Sequence, residues 1–186
     1  MSLEKTVRRA TESDAARVIT FDAGDVQAIL RERGWLVAAA TVEHTVWMTE
    51  AAVLLGPHAA DRDALASLLA LVFEYDARAI LRSPDAHNVL ARQGAREVIR
   101  ELAHMVLESG TVDSERFKEL IEALKARVRW RSRDLFHPIR LALAGRTGEG
   151  ELDRVILLCD SAARLPFAVP VKSVRQRLLA FCAALD

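Results

Sequence analysis

Apolar residues in this 186-residue chain recur at intervals of three and four, and no segment alternates apolar and polar residues for the length of a strand. That pattern predicts an all-α fold, a helical bundle. The clearest stripes are Leu65, Leu68, Leu69, Val72 and Phe73, then Val98, Ile99, Leu102, Met105 and Val106. Further on come Phe117, Leu120, Ile121, Leu124 and Val128, and after them Leu152, Val155, Ile156 and Cys159. Between the stripes stand stop and start signals. Ser83-Pro84-Asp85 offers a cap, a proline for the first helical position and an acid for the first turn. Gly34, Gly56-Pro57, Gly94, Ser109-Gly110 and Gly145 each end a stretch. Val18 to Phe21 is either a short extended strand or an apolar lead-in to a helix capped by Asp22 or Asp25. Thr41 to Leu55 reads as a longer helix carrying Val42, Val46, Met48, Val53 and Leu54.

The punctuation suggests a loosely ordered N-terminus over residues 1–20, a helical subdomain over 21–110 and a second over 111–186. No apolar run approaches the ~20 residues of a membrane span, and the first residues lack a secretory pattern. Cys159 and Cys182 belong to no C-x-x-C pair and are expected as reduced core residues in a cytoplasmic setting. His44, His58, His87, His104 and His137 show no ligand spacing, so no metal is expected. The loop Gly145-Arg146-Thr147-Gly148-Glu149-Gly150 lacks the spacing of a phosphate cradle and is read as a turn. No nucleophile elbow is present.

One window stands out chemically. Lys125, Arg127, Arg129, Arg131, Arg133, Arg140 and Arg146 face only Asp134 and, just beyond, Glu149. The formal net charge is zero, so any nucleic-acid affinity must come from such clustering and not from a long-range field. Cations beside a rigid apolar helix suit phosphate binding, and a charge run is equally a solvated face. Trp130 is suited either to stacking on a base or to half-burial at a helix end. Arg140, set among apolar neighbours, either pairs with an acid inside the fold or contacts RNA. Pro138 is expected in the first turn of the helix that follows the basic residues.

The segment Leu135-Phe136-His137-Pro138-Ile139-Arg140-Leu141-Ala142-Leu143-Ala144-Gly145 resembles the L-F-x-P-[IL]-R-x-A-L-T-G segment of bacterial glutamyl-tRNA synthetases, near the end of their anticodon-binding region. Ala144 stands where that family usually has Thr. Glu151-Leu152-Asp153 is similar to the segment after the family's glycine loop, and Ser173 to Leu178 to its closing helix. The resemblance implies an α-helical cage like the one by which these class I synthetases grip the anticodon loop of tRNA-Glu. Neither an H-I-G-H-like nor a K-M-S-K-S-like signature is present, which implies the tRNA-reading end without the chemical end, a non-enzyme needing no cofactor. It implies tRNA, foremost tRNA-Glu, as partner, together with a separate synthetase catalytic subunit, and neither DNA nor membrane. The RNA-binding residues it suggests are Lys125, Arg129, Arg131, Arg133, Arg140 and Arg146, with Arg129, Arg131, Arg133 and Arg146 on one exposed concave face. The alternatives are a piece of a full glutamate–tRNA ligase, or a synthetase-derived helical interaction scaffold that no longer binds RNA.

Overall fold

The computed structural model describes residues 20–185, so the expectation for residues 1–20 lies outside it except for Thr20. The described residues form ten α-helices and no strand. In chain order these are α1 (Ala23–Glu32), α2 (Val42–Leu55), α3 (Arg62–Phe73), α4 (Ala77–Leu81) and α5 (Pro84–Leu90). They are followed by α6 (Ala95–Glu108), α7 (Ser114–Arg127), α8 (Ser132–Ala144), α9 (Gly150–Ala162) and α10 (Val174–Leu185). A single 3-10 turn, Gly56–His58, follows α2.

Most starts are set by a side chain that accepts the helix's orphan amides. Asp22, Thr41, Asp61, Asp76, Ser83 and Asp113 cap α1, α2, α3, α4, α5 and α7, each worth about 1 kcal/mol. Asp22 is therefore the cap that the sequence left open between two acids. Gly145 ends α8 in the left-handed region at φ 79°.

Two helices differ from the sequence reading. In α2 the buried residues are His44, Trp47, Met48, Ala51, Ala52 and Leu55, while Val42, Val46 and Val53 face solvent. In α8 the helix begins at Ser132, six residues before Pro138, so the proline lies inside the helix and not in its first turn. An interior proline removes one helical hydrogen bond and costs roughly 3 kcal/mol. Burial of Leu135, Ile139, Leu141 and Leu143 on the same helix offsets it.

The last two helices thread back through the earlier ones. Helix α9 packs on α2, α3 and α8, and α10 on α4, α6 and α8. Trp35, Trp47, Phe73 and Phe167 form an aromatic cluster, with Trp35 stacked on Phe73 at 4.6 Å and the other contacts edge to face. Trp47 Nε1 donates to the Leu158 carbonyl at 3.3 Å, joining α2 to α9. Cys159 is buried and Cys182 half-buried, with no disulfide between them.

Two charged groups dock α10. Asp160 accepts from the backbone amides of Val112 and Val174, each at 2.7 Å, which caps α10 from inside the core. Arg177 is fully buried (0% exposed). Its guanidinium donates to the carbonyls of Leu71 (2.9 Å), Val72 (2.6 Å), Leu143 (2.7 Å) and Lys172 (3.0 Å). Leu71 and Val72 close α3 and Leu143 closes α8, so two helix C-termini supply the negative partial charge that the buried cation requires. Tyr75 lies under the guanidinium at 4.7 Å and donates to the Ala142 carbonyl at 2.6 Å, with burial raising its hydroxyl's pKa.

Candidate nucleic-acid interface

The basic window occupies the turn from α7 into α8. Phe117, Leu120, Ile121 and Leu124 bury one face of α7, which leaves Lys125 and Arg127 on its last, outward turn. Val128 is extended and buried, and Arg129, Trp130 and Arg131 carry the chain across to Ser132. Ser132 takes φ 49°, a left-handed conformation unusual outside glycine.

The six cations singled out by sequence meet different fates here. Arg131 turns back on the helix it has just left, donating to the carbonyls of Lys125 (2.8 Å), Val128 (2.7 Å) and Trp130 (2.7 Å). Its guanidinium satisfies the end of α7. Arg140 is 9% exposed and grips Asp153 through two parallel bonds, Nε to Oδ1 at 2.9 Å and Nη2 to Oδ2 at 2.8 Å. It also donates to the Gly148 carbonyl at 2.6 Å, and the bond to Asp153 raises its pKa. Of the two roles open to Arg140, the geometry shows the internal one, tying α8 to the glycine loop and α9.

Among the described residues Lys125 is held only by Glu122, at 2.6 Å on the surface, a pairing worth under about 1 kcal/mol and readily exchanged for a phosphate. Arg129 lies exposed with its guanidinium carbon 4.7 Å from the Trp130 ring centroid. Arg133 and Arg146 are exposed and form neither a hydrogen bond nor an ion pair among the described residues. They stand at opposite ends of α8, Arg133 in its first turn and Arg146 just beyond its last, about 20 Å apart at 1.5 Å per residue.

Trp130 is half-buried. Its indole N–H donates to Glu97 at 2.8 Å, and its ring lies so close to Gly94 that a Cβ there would fall 1.9 Å from it. Gly94 also takes φ 87° at the start of α6. The tryptophan is thus clasped between the Gly94 backbone and Arg129, and it fixes the α7–α8 turn against α6.

One contributor escaped the sequence reading. Arg92, in the turn after α5, reaches Asp134 at 3.5 Å in an exposed pair. Its field, with those of Arg133 and Arg140, acts on His137, one turn further along α8. The His137 pKa is lowered from its ordinary value, first by burial and then by Arg92, Arg133 and Arg140, against a smaller opposing effect of Glu149. No spacing rule links Arg92 to a window some forty residues later; only the packing of α5 on α8 brings it there.

At the far end of α8 the glycine loop is held down. Thr147 Oγ1 lies 3.2 Å from Asp85 Oδ2 at the start of α5, and the Ile80 side chain abuts Gly145. Arg146 projects from this anchored loop. No group of three or more potential metal ligands occurs among the described residues, and no helix among them is long and apolar enough to cross a membrane. The arrangement offers exposed guanidinium groups at the α7–α8 turn, in the first turn of α8 and just beyond its far end, over rigid packing, which is chemistry for an anionic polymer.

Comparison with known families gives one match, to a family described as an anticodon binding domain, over residues 24–159. No curated protein and no solved structure matches the chain.

Proposed function

The chain belongs to the anticodon-binding domain family, and from that premise we propose that it is a non-catalytic tRNA-binding module working in the cytoplasm. The observation that carries this reading is the family match over 24–159, a span containing the exposed cations of the α7–α8 turn and of the loop after α8. Arg129, Arg133 and Arg146 engage phosphates, with Lys125 released from Glu122 and Arg92 adding to the field. Arg131 and Arg140 act one step back, by holding the α7–α8 turn and the glycine loop in shape. Phosphate contacts position the RNA, and the arginine forks read or stack on unpaired bases.

The finer assignment, tRNA-Glu and kinship with glutamyl-tRNA synthetase, rests on the Leu135-to-Gly145 segment. On that assignment a separate synthetase catalytic subunit, or a catalytic part of a longer ligase, supplies the chemistry. Binding of tRNA-Glu and of a non-cognate tRNA, measured side by side at one salt concentration, tests it. Preference for tRNA-Glu is expected. Equal binding of both removes the glutamyl assignment and leaves a general tRNA binder; binding of neither contradicts the RNA reading altogether.

A further inference from the structure

Between α7, α8 and α9 the surface opens into a pocket of about 270 Å³. Its apolar lining is Phe117, Ile121, Phe136 and Leu157. Phe136 is held in place by Arg140, whose guanidinium stands over the ring at 5.2 Å and is itself fixed by Asp153 and the Gly148 carbonyl. The aromatic wall is therefore set before any ligand arrives, which spares the cost of ordering it on binding. Lys118 and Arg154 line the same pocket, exposed and without an ion pair among the described residues. Two carboxylates share it with them. Asp153 has both oxygens engaged by Arg140, whereas Glu122 is 71% exposed and held by Lys125 in a surface pair.

We propose that this pocket receives one unpaired base of the bound RNA, and that Glu122 selects a base carrying an exocyclic amino group. The inference rests on the tRNA-binding reading and adds a base-reading site beside the phosphate contacts. The volume lies just under the roughly 300–1,000 Å³ of pockets for drug-sized ligands, which suits a single ring system. An aromatic wall stacks on any base, and Lys118 and Arg154 answer the phosphate attached to it. The carboxylate supplies the discrimination. It can only accept, so it favours an amino group over a carbonyl oxygen at the same place on the ring. Cytosine and uracil differ in that way. Continuity with the phosphate contacts argues for the same occupant: Lys125 leaves Glu122 for a phosphate, and the freed carboxylate takes the amino group. An apolar side chain of a protein partner would use the lining and leave Lys118, Arg154 and Glu122 unanswered.

Titration of the isotope-labelled whole chain with cytidine monophosphate, uridine monophosphate and ribose 5-phosphate, followed by amide NMR, tests this. Cytidine monophosphate should shift the amides of Phe117, Ile121, Phe136 and Leu157 with a dissociation constant on the order of 1 mM. Uridine monophosphate should bind about tenfold more weakly, the effect of one hydrogen bond to a charged group. Ribose 5-phosphate, which has no base, should leave these amides in place. Glu122→Gln should melt close to the native chain, since it gives up one exposed ion pair. It should erase the preference, because an amide both donates and accepts. Lys118→Ala should weaken both nucleotides alike. Equal binding of the two nucleotides by the native chain, or a preference that survives Glu122→Gln, overturns selection by Glu122. Unmoved amides overturn the pocket as a base site and leave it to an apolar side chain of a protein partner. Binding of whole tRNA, measured alongside, separates the two readings. Salt-sensitive tRNA binding with a silent pocket strikes this inference alone, whereas a nucleotide response without tRNA binding strikes the tRNA reading and, with it, a base of bound RNA as the occupant.

Discussion

Arg131 Nη2 donates to the Lys125 carbonyl at 2.8 Å, bending the arginine back onto the helix that precedes it. Two residues later Arg133 points into solvent with no such partner among the described residues. The two arginines are alike in sequence and opposite in role, which separates their variants. Arg131→Ala should lower stability by about 1.5–3 kcal/mol, the range for hydrogen bonds to a charged donor. Arg133→Ala should leave the urea midpoint unchanged and make the salt dependence of RNA binding shallower by about one unit. Urea denaturation and salt-titrated binding on both variants check this.

The Arg140–Asp153 pair makes a second prediction. Its side chains are 11% and 27% exposed, and two bonds join them. Removing one partner leaves a poorly solvated charge behind. Asp153→Ala should therefore destabilise the protein by roughly 3 kcal/mol, near the lower end for breaking a buried pair. Arg140→Lys should recover only part of the native stability, because one ammonium cannot make both parallel bonds and reach Gly148. Equal stability of Arg140→Lys and the native chain in urea would contradict this account of the pair.

Among the described residues Arg177 has no carboxylate partner, and it relies on the carbonyls of Leu71, Val72, Leu143 and Lys172. Arg177→Met should orphan these carbonyls and undock α10, at a cost of at least about 3 kcal/mol. The loss should appear as a lower melting temperature with α10 amides exchanging first. Uniform exchange across all helices would argue against α10 as the element that this residue holds.

His137 provides a test in pH. Its folded pKa lies below the unfolded value, so protonation favours the unfolded chain. The stability this confers is present above the unfolded pKa, near 6.5, and is lost as pH falls from there through the folded pKa. A bound phosphate has the reverse effect, since it offsets the field of Arg92 and Arg133 and raises the pKa. RNA binding should then take up a proton and tighten as pH falls from about 7.5 toward about 6, the usual window of a histidine. His137→Gln should flatten that dependence. Binding that weakens on acidification in the native chain would place the RNA away from this face.

How much of this was legible beforehand depended on whether local signals agreed. Helices α5 and α6 were readable because caps, proline and apolar spacing all pointed one way: Ser83 caps, Pro84 opens, and Gly94 divides the two. Helix α2 was readable as a helix but not as to its faces, since valines line the outside while Trp47 and Met48 line the inside. Pro138 misled for a different reason. A proline usually opens a helix, and here apolar burial outweighs its interior cost. Within the basic window, composition marked the region but could not divide it. Whether an arginine caps a helix, grips an aspartate or stays free is decided by where Asp153 and the α7 carbonyls fall in space. Arg92 was beyond reach of any local pattern.

The most direct measurement of the central claim is the salt dependence of tRNA binding by the native chain and by the Arg129→Ala, Arg133→Ala double variant. Both residues are exposed, and the variant should fold, losing through the Arg129–Trp130 contact no more than about 1 kcal/mol. The account predicts salt-sensitive binding by the native chain and a slope shallower by about two units in the variant, one for each lost phosphate contact. Identical slopes and affinities would contradict the claim that the exposed side of the α7–α8 turn holds RNA.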